Sequence, residues 1–261
     1  MLAAMSRKGS ESTKFRVYAI FFLAAAALCA QPDRTREQAH DFLRMIDRSV
    51  TEADVARVDK NAEGIKKYLE KVWYWFLLPY GRKYDPPFIV DGGKARNASL
   101  SWKCGTGRMA VLDNAYYCPA SNSISYDGYY LAGLNKKVGK LTGSPGDFAA
   151  VVALAHESGH ALQYQLGITS LFDFPNEQNA DCFAGAMAYQ LGLERMLRPT
   201  DIAEAKAAMR LLGEPAKAGP LDNAHGNAEQ RIGAFMAGYT SGPNGCVSFK
   251  PTRPPWMPPL K

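Results

Sequence analysis

The sequence predicts an α+β fold, mainly helical with a small antiparallel or mixed sheet. Three observations carry this expectation. Apolar residues recur at helical spacing on both sides of the chain's midpoint, and a stretch from Tyr84 to Tyr126, punctuated by proline and glycine, divides into short strand-like runs. The most apolar of the helical segments, residues 151–163, carries His156, Glu157 and His160 as an HExxH pattern.

The elements follow in order. Residues 1–30 read as an export signal, with Arg7, Lys8, Lys14 and Arg16 ahead of an apolar run from Val17 to Ala30. That run is shorter than the roughly 20 residues a membrane span needs, which favours a cleaved signal over an N-terminal anchor. A lipidated Cys29 fits poorly with Ala26 and Leu28 before it. The expected location is exported, periplasmic or secreted, or else anchored to the inner membrane by residues 17–30. Residues 31–83 form an N-terminal helical segment expected to pack on the main domain. Phe42, Leu43, Ile46 and Val50 make residues 33–50 an amphipathic helix, on which His40 reads as a surface or packing residue. A second helix from about Asp54 to Val72 runs into Trp73, Tyr74, Trp75 and Phe76, an aromatic run expected in the core, with a substrate-contacting wall as the alternative.

From Tyr84 the character changes. Pro86 and Pro87 force extended backbone before a short strand that ends at Gly92 and Gly93. Further strands are expected near 108–112, 115–117 and 123–126. Ser144, Pro145 and Asp147 then resemble a helix start, with Ser144 as N-cap, and Gly167 resembles the end of that helix. Residues 173–176 break the chain and cap a helix from Glu177 to about Leu191. Another helix begins at 199–201 and ends near Leu212 and Gly213, and residues 224–227 precede the last. Residues 84–242 thus make the main domain, and 243–261 a proline-rich tail.

With 261 residues, 47% hydrophobic and 21% charged, the chain can bury one sizeable core or two small ones. Half of its formal charge of +6 lies within residues 1–30, and no basic stripe with interleaved aromatics appears, so nucleic-acid binding is not expected. Without Cys29, four cysteines remain. Cys104 and Cys118 suit a disulfide across a hairpin, Cys182 and Cys246 pair by elimination, and a cysteine zinc site lacks any CxxC.

The HExxH pattern carries the chemistry. Residues four apart share a helix face, so His156 and His160 can aim two imidazoles at one metal while Glu157 stands at the rim. Such spacing also arises by chance on polar helices. Here Val151, Val152, Leu154, Ala155, Ala161 and Leu162 mark a buried helix, where imidazoles and a carboxylate need partners. Zinc is the expected ion. A catalytic zinc takes a third protein ligand, and Gln163 and Leu166 exclude the extended motif that supplies a third histidine. Glu177 and Asp181, four apart on an apolar helix, provide one carboxylate to ligate and one to accept an imidazole Nδ1 hydrogen. Glu177 is assigned as ligand and Asp181 as orienter. The plainer alternative is two acids capping a helix N-terminus.

The chain resembles the neutral zinc metallopeptidases of bacteria, a gluzincin-like group, from about Tyr84 to Tyr239. The resemblance rests on Tyr84-Asp85-Pro86-Pro87 before a strand, Cys104-Gly105, Tyr117-Cys118-Pro119, Ile124-Ser125-Tyr126-Asp127, Pro145-Gly146-Asp147-Phe148, the HExxH stretch, the run from Glu177 to Gly185, and His225-Gly226-Asn227-Ala228-Glu229-Gln230-Arg231. It implies a zincin-like fold in which the Cys104 segment and the strands after it form a small sheet against the metal helix. It also implies His156, His160 and Glu177 as zinc ligands and Glu157 as general base. His225, in a motif of the group, becomes the leading candidate to stabilise an oxyanion, with Tyr164 and Tyr239 as alternatives and simple capping of the following helix as the plainer reading of His225-Gly226. The chain departs from the pattern at Ser158-Gly159, where a bulkier apolar residue is usual beside the second histidine.

The expected function is zinc-dependent hydrolysis of peptide bonds, with a peptide or protein substrate paired to an edge strand near 124–126. A zinc-stabilised peptide-binding or chaperone-like protein without turnover is the main alternative, and a membrane-anchored structural module a third. Glu157 disfavours the former, because a structural site needs no general base, and the latter depends on residues 17–30 staying attached.

Overall fold

The computed structural model describes residues 49–92, 103–104, 107–108, 114–171, 173–214 and 225–251. The signal, the expected helix at 33–50 with His40, most of the strand at 108–112 and the end of the proline-rich tail lie outside the described residues.

Helix α1 (Glu52–Leu77) opens with a capping box: Thr51 Oγ1 accepts from Asp54 N, and Asp54 Oδ2 accepts from Thr51 N at 2.7 Å. It buries Val55, Val58, Ala62, Ile65, Leu69, Trp73, Phe76 and Leu77, a stripe at three- and four-residue spacing. The same periodicity splits the aromatic run. Trp73 is fully buried and packs edge-on against Phe76 and Phe183, whereas Tyr74 and Trp75 point outward. Only half of that run is core.

Three strands form one sheet in the order β1 (Phe88–Asp91), β5 (Ser123–Tyr126), β4 (Ala115–Cys118). β1 runs parallel to β5 and β4 antiparallel to it. β2 (Lys103–Cys104) and β3 (Gly107–Arg108) make a separate two-stranded hairpin. The expected disulfide between Cys104 and Cys118 is present and ties this hairpin to the end of β4. β5 is the central strand, so the expectation that residues 124–126 present an edge to a peptide is corrected. Both its sides are paired, and β4 is the strand that faces the site.

The sequence reading missed helix α2 (Gly128–Thr142). Asp127 caps it by accepting from Tyr129 N and Tyr130 N, and Gly143 ends it in the left-handed conformation. Gly128, Gly133 and Gly139 and the β-favouring Tyr129-Tyr130 pair dilute its helical signal. Burial of Leu131, Leu134 and Val138 supplies what local propensity does not.

Helix α3 (Phe148–Leu166) is buried along most of its length. Its start differs from the expectation of a Ser144 cap. The helix begins after Asp147, whose side chain makes no cap and pairs instead with Arg198. The first free amide, Phe148 N, donates to Glu204 Oε2 at 2.9 Å, so a buried carboxylate from another helix does the capping.

Helix α4 (Asp173–Leu193) starts four residues earlier than expected, with Pro175 tolerated in its first turn. Glu177 therefore lies beyond the first turn, which removes the reading of it as a helix-terminal acid. Helix α5 (Asp201–Leu211) matches its expected span. Helix α6 (Ala228–Val247) starts with a second capping box, Asn227 with Gln230, and kinks at Gly242. Residues 243–247 continue helically beyond the kink, with Pro243 and Cys246 buried, so they belong to the folded body and not to an extended tail. Cys246 is bonded to Cys182 of α4.

A candidate metal centre between two helices

The site lies where α3 packs on α4, and close approach of the two backbones makes it possible. A Cβ at Gly159 would stand 2.9 Å from the Ala180 carbonyl oxygen and 3.0 Å from Ala180 Cα. The glycine that departs from the expected pattern is thus what lets α4 come within reach of the imidazoles. Gly238 does the same between α6 and α4, its missing Cβ making room for the Cys182 carbonyl.

Three side chains converge. His156 Nε2 lies 3.0 Å from Glu177 Oε2 and 3.2 Å from His160 Nε2, and His160 Nε2 lies 3.4 Å from Glu177 Oε1. Four ligands placed tetrahedrally at about 2.0–2.1 Å from zinc stand about 3.3 Å apart, so these donor spacings fit that ion. The set is the only group of three or more potential ligating side chains among the described residues, with one donor atom from each lying within 4.8 Å of the others. The expected ligands are therefore brought together, and nitrogen and carboxylate donors suit zinc.

Each imidazole is held through its other nitrogen. His156 Nδ1 lies 2.7 Å from Asp181 Oδ1, the role assigned to Asp181 from the sequence. Arg231, which sequence reasoning left without a role, donates from Nε to Asp181 Oδ2 at 2.9 Å and from Nη2 to Oδ1 at 2.8 Å. His160 Nδ1 is 3.0 Å from Gln163 Oε1, a partner also missed. Glu157 Oε2 accepts from the backbone N–H of Tyr117 on β4 at 2.7 Å, which pins the carboxylate beside the donor set without consuming its other oxygen.

Electrostatics follow from burial and pairing. Burial alone would lower the His156 imidazole, but Asp181 and Glu177 outweigh it and raise it to about 10. His160 is likewise raised by Glu177 against the cost of burial. Burial would push Glu177 up, yet His160 and His156 hold it well below the usual carboxylate range. For Asp181, burial is overcome by Arg231 and then by His156, so the carboxyl is lowered.

His225 also reaches the site. Its Nε2 is 3.6 Å from Glu177 Oε2, and its Nδ1 is 2.7 Å from Glu214 Oε1, a partner the sequence did not disclose. Gln178 Nε2 donates to the His225 carbonyl at 2.6 Å, fixing the loop. The cavity above the donors, about 610 Å³, is lined by Tyr116, Tyr117, Tyr164, His225, Leu131 and Met209 among others. Of the alternatives to His225, Tyr164 lines this cavity, whereas Tyr239 stacks on Phe235 and is not among the lining residues.

A mainly helical α+β fold with an HExxH helix and a carboxylate donor from the next helix defines a metallopeptidase-like centre. The chain belongs to the family described as "Putative neutral zinc metallopeptidase", whose model matches residues 45–249. It is 27% identical over 204 residues to "Uncharacterized protein YpfJ" of Escherichia coli K12, an alignment covering 69% of this chain and 67% of that protein. It is 29% identical over 209 residues to "Uncharacterized protein Mb2605" of Mycobacterium bovis and to "Uncharacterized protein Rv2575" of Mycobacterium tuberculosis, with the same shares covered. No solved structure matches the chain.

Proposed function

We propose that this protein is a zinc-dependent peptidase that hydrolyses peptide bonds in an unfolded or extended substrate, with His156, His160 and Glu177 holding the ion. The observation that carries the reading is Glu157: a carboxylate fixed by Tyr117 N–H beside a completed donor set, where a structural site needs no base. Zinc held there supplies a Lewis acid that acidifies water and polarises a carbonyl. Glu157 takes the proton of the attacking water at a side-chain oxygen and returns it to the leaving amine. In its imidazolium form His225, with Nδ1–H donating to Glu214, offers Nε2–H to charge that develops on the carbonyl oxygen. Tyr164 at the cavity wall is the alternative donor. β4 offers its outer edge to an extended peptide.

Export, periplasmic or secreted, is part of the proposal. The two disulfides suit an oxidising compartment.

The test is Glu157→Gln in the zinc-loaded protein, with zinc counted by metal analysis and cleavage followed on unfolded protein and peptide libraries. Retained zinc with cleavage lost by about 10²-fold or more supports the reading, the scale expected for removing a general base. Wild-type protein that binds zinc and peptide yet cleaves nothing, with or without chelator, would replace it by the non-catalytic binding reading.

A further inference from the structure

The two imidazoles of the donor set are held in different ways. His156 has a carboxylate, Asp181, whereas His160 has a carboxamide, and a carboxamide can face either way unless its neighbours decide. Here a chain of hydrogen bonds decides. It starts at the carbonyl oxygen of Cys246, which can only accept. Asn179 Nδ2 donates to that oxygen at 2.6 Å, so the Asn179 Oδ1 must face the other way, towards Gln163. Gln163 Nε2 donates to this Oδ1 at 3.0 Å and also to the Asn176 carbonyl, which again can only accept. With its amide nitrogen committed twice, Gln163 presents Oε1 to His160 Nδ1 at 3.0 Å. An amide oxygen there accepts the Nδ1 hydrogen and leaves the Nε2 lone pair aimed at the donor set.

We propose that Gln163 and Asn179 are positioning residues for His160, a polarity relay that fixes the tautomer and ring orientation of the second histidine ligand. Both are buried, Gln163 at 2% exposure and Asn179 at 9%, so an amide left unpartnered by a flip would carry a desolvation cost. The fixed end of the relay is held by covalent structure: Cys246 is bonded to Cys182, three residues beyond Asn179 on α4. A neutral orienter also spares the site a further negative charge beside Glu177 and Asp181, of which Asp181 is the one paired with the buried Arg231.

The inference rests on the zinc reading of the site, and its test separates the two. Zinc affinity of the full chain is measured by competition with a chromogenic chelator, for wild type, Gln163→Met, Gln163→Glu and Asn179→Leu. Far-UV circular dichroism and the unfolding midpoint of the chelator-treated proteins report whether each variant is folded. Gln163→Met keeps side-chain length but removes the acceptor, and zinc affinity should fall roughly 10–100-fold. Gln163→Glu keeps an acceptor opposite Nδ1 but turns its second oxygen on the Asn176 carbonyl and Asn179 Oδ1, which only accept, so it should recover little of that loss. Asn179→Leu touches no donor atom and should weaken zinc in the same direction. Gln163→Met or Gln163→Glu that binds zinc like wild type overturns the relay while leaving the zinc site standing. Wild type that binds no zinc overturns both.

Discussion

Arg231 meets Asp181 through two parallel hydrogen bonds, Nε to Oδ2 at 2.9 Å and Nη2 to Oδ1 at 2.8 Å, while Oδ1 also lies 2.7 Å from His156 Nδ1. Bidentate pairing of this kind fixes the plane of the carboxylate as well as neutralising it. Because both groups are buried, removing one partner leaves the other charged without compensation. Arg231→Met should therefore cost about 3–5 kcal/mol in urea or guanidinium unfolding. A loss under 1 kcal/mol would mean that water reaches Asp181.

Asp181→Asn keeps the shape of the orienter and removes its charge. On the proposed site it should lower zinc affinity about 10–100-fold without abolishing folding. Chelator competition measures it, and unchanged affinity would show that the acceptor atom at Nδ1, and not the charge behind it, holds His156.

The raised His156 imidazole gives a signed dependence on pH. In chelator-treated protein its value of about 10 stands above the unfolded 6.5. The stabilisation it brings is complete below 6.5 and disappears as pH rises through about 10. Zinc needs the deprotonated ring, so between these limits binding should release protons, and affinity should rise about tenfold per pH unit for each proton released. Calorimetric titration at pH 7.5 in two buffers of different ionisation enthalpy counts the protons. A count of zero contradicts the pairing of His156 with Asp181 and Glu177.

Gly159→Ala should cost about 1–3 kcal/mol and weaken zinc, since the new methyl has no room against Ala180 and α4 must retreat. Gly64 in α1 is the control. A Cβ there meets nothing within 4 Å, and Gly64→Ala should stabilise by about 0.5–1 kcal/mol. Equal effects at the two positions would remove the close-approach explanation.

Replacing Cys182 and Cys246 together by serine opens a loop of sequence separation 64 and should cost about 4 kcal/mol, against about 3 kcal/mol for Cys104 and Cys118 with a separation of 14. Denaturant midpoints of the two double variants test the order.

The parts of this site that rest on spacing within one helix were legible from sequence. His156 and His160 at i,i+4 and the Glu177 and Asp181 pair at i,i+4 declare their faces, because 3.6-residue periodicity leaves little choice. What was not legible depends on elements meeting in space. Tyr117 acts through a backbone N–H, which has no side-chain signature. Glu204 caps α3 from 56 positions away, displacing the local Ser144 signal. Glu214 reaches His225 through the parallel bridge it forms with Asn227. Arg231 carried one available clue, a guanidinium on an otherwise apolar face, which implies a buried anion opposite. α2 stayed hidden because its glycines argue against helix, and tertiary burial overrode them.

All the proposed donors come from a single helical hairpin, α3 with α4, and His156 and Asp181 are only 25 positions apart. Arg231 lies 50 positions beyond Asp181 and arrives with α6. Contacts that close short loops cost less chain entropy and tend to form first. By that rule the hairpin is expected to gather two imidazoles and the carboxylates of Glu157, Glu177 and Asp181 before the guanidinium that pairs with Asp181 is in place. Docking of α6 then supplies a counter-charge to Asp181 from the chain itself, while the donor set of His156, His160 and Glu177 is left to an ion.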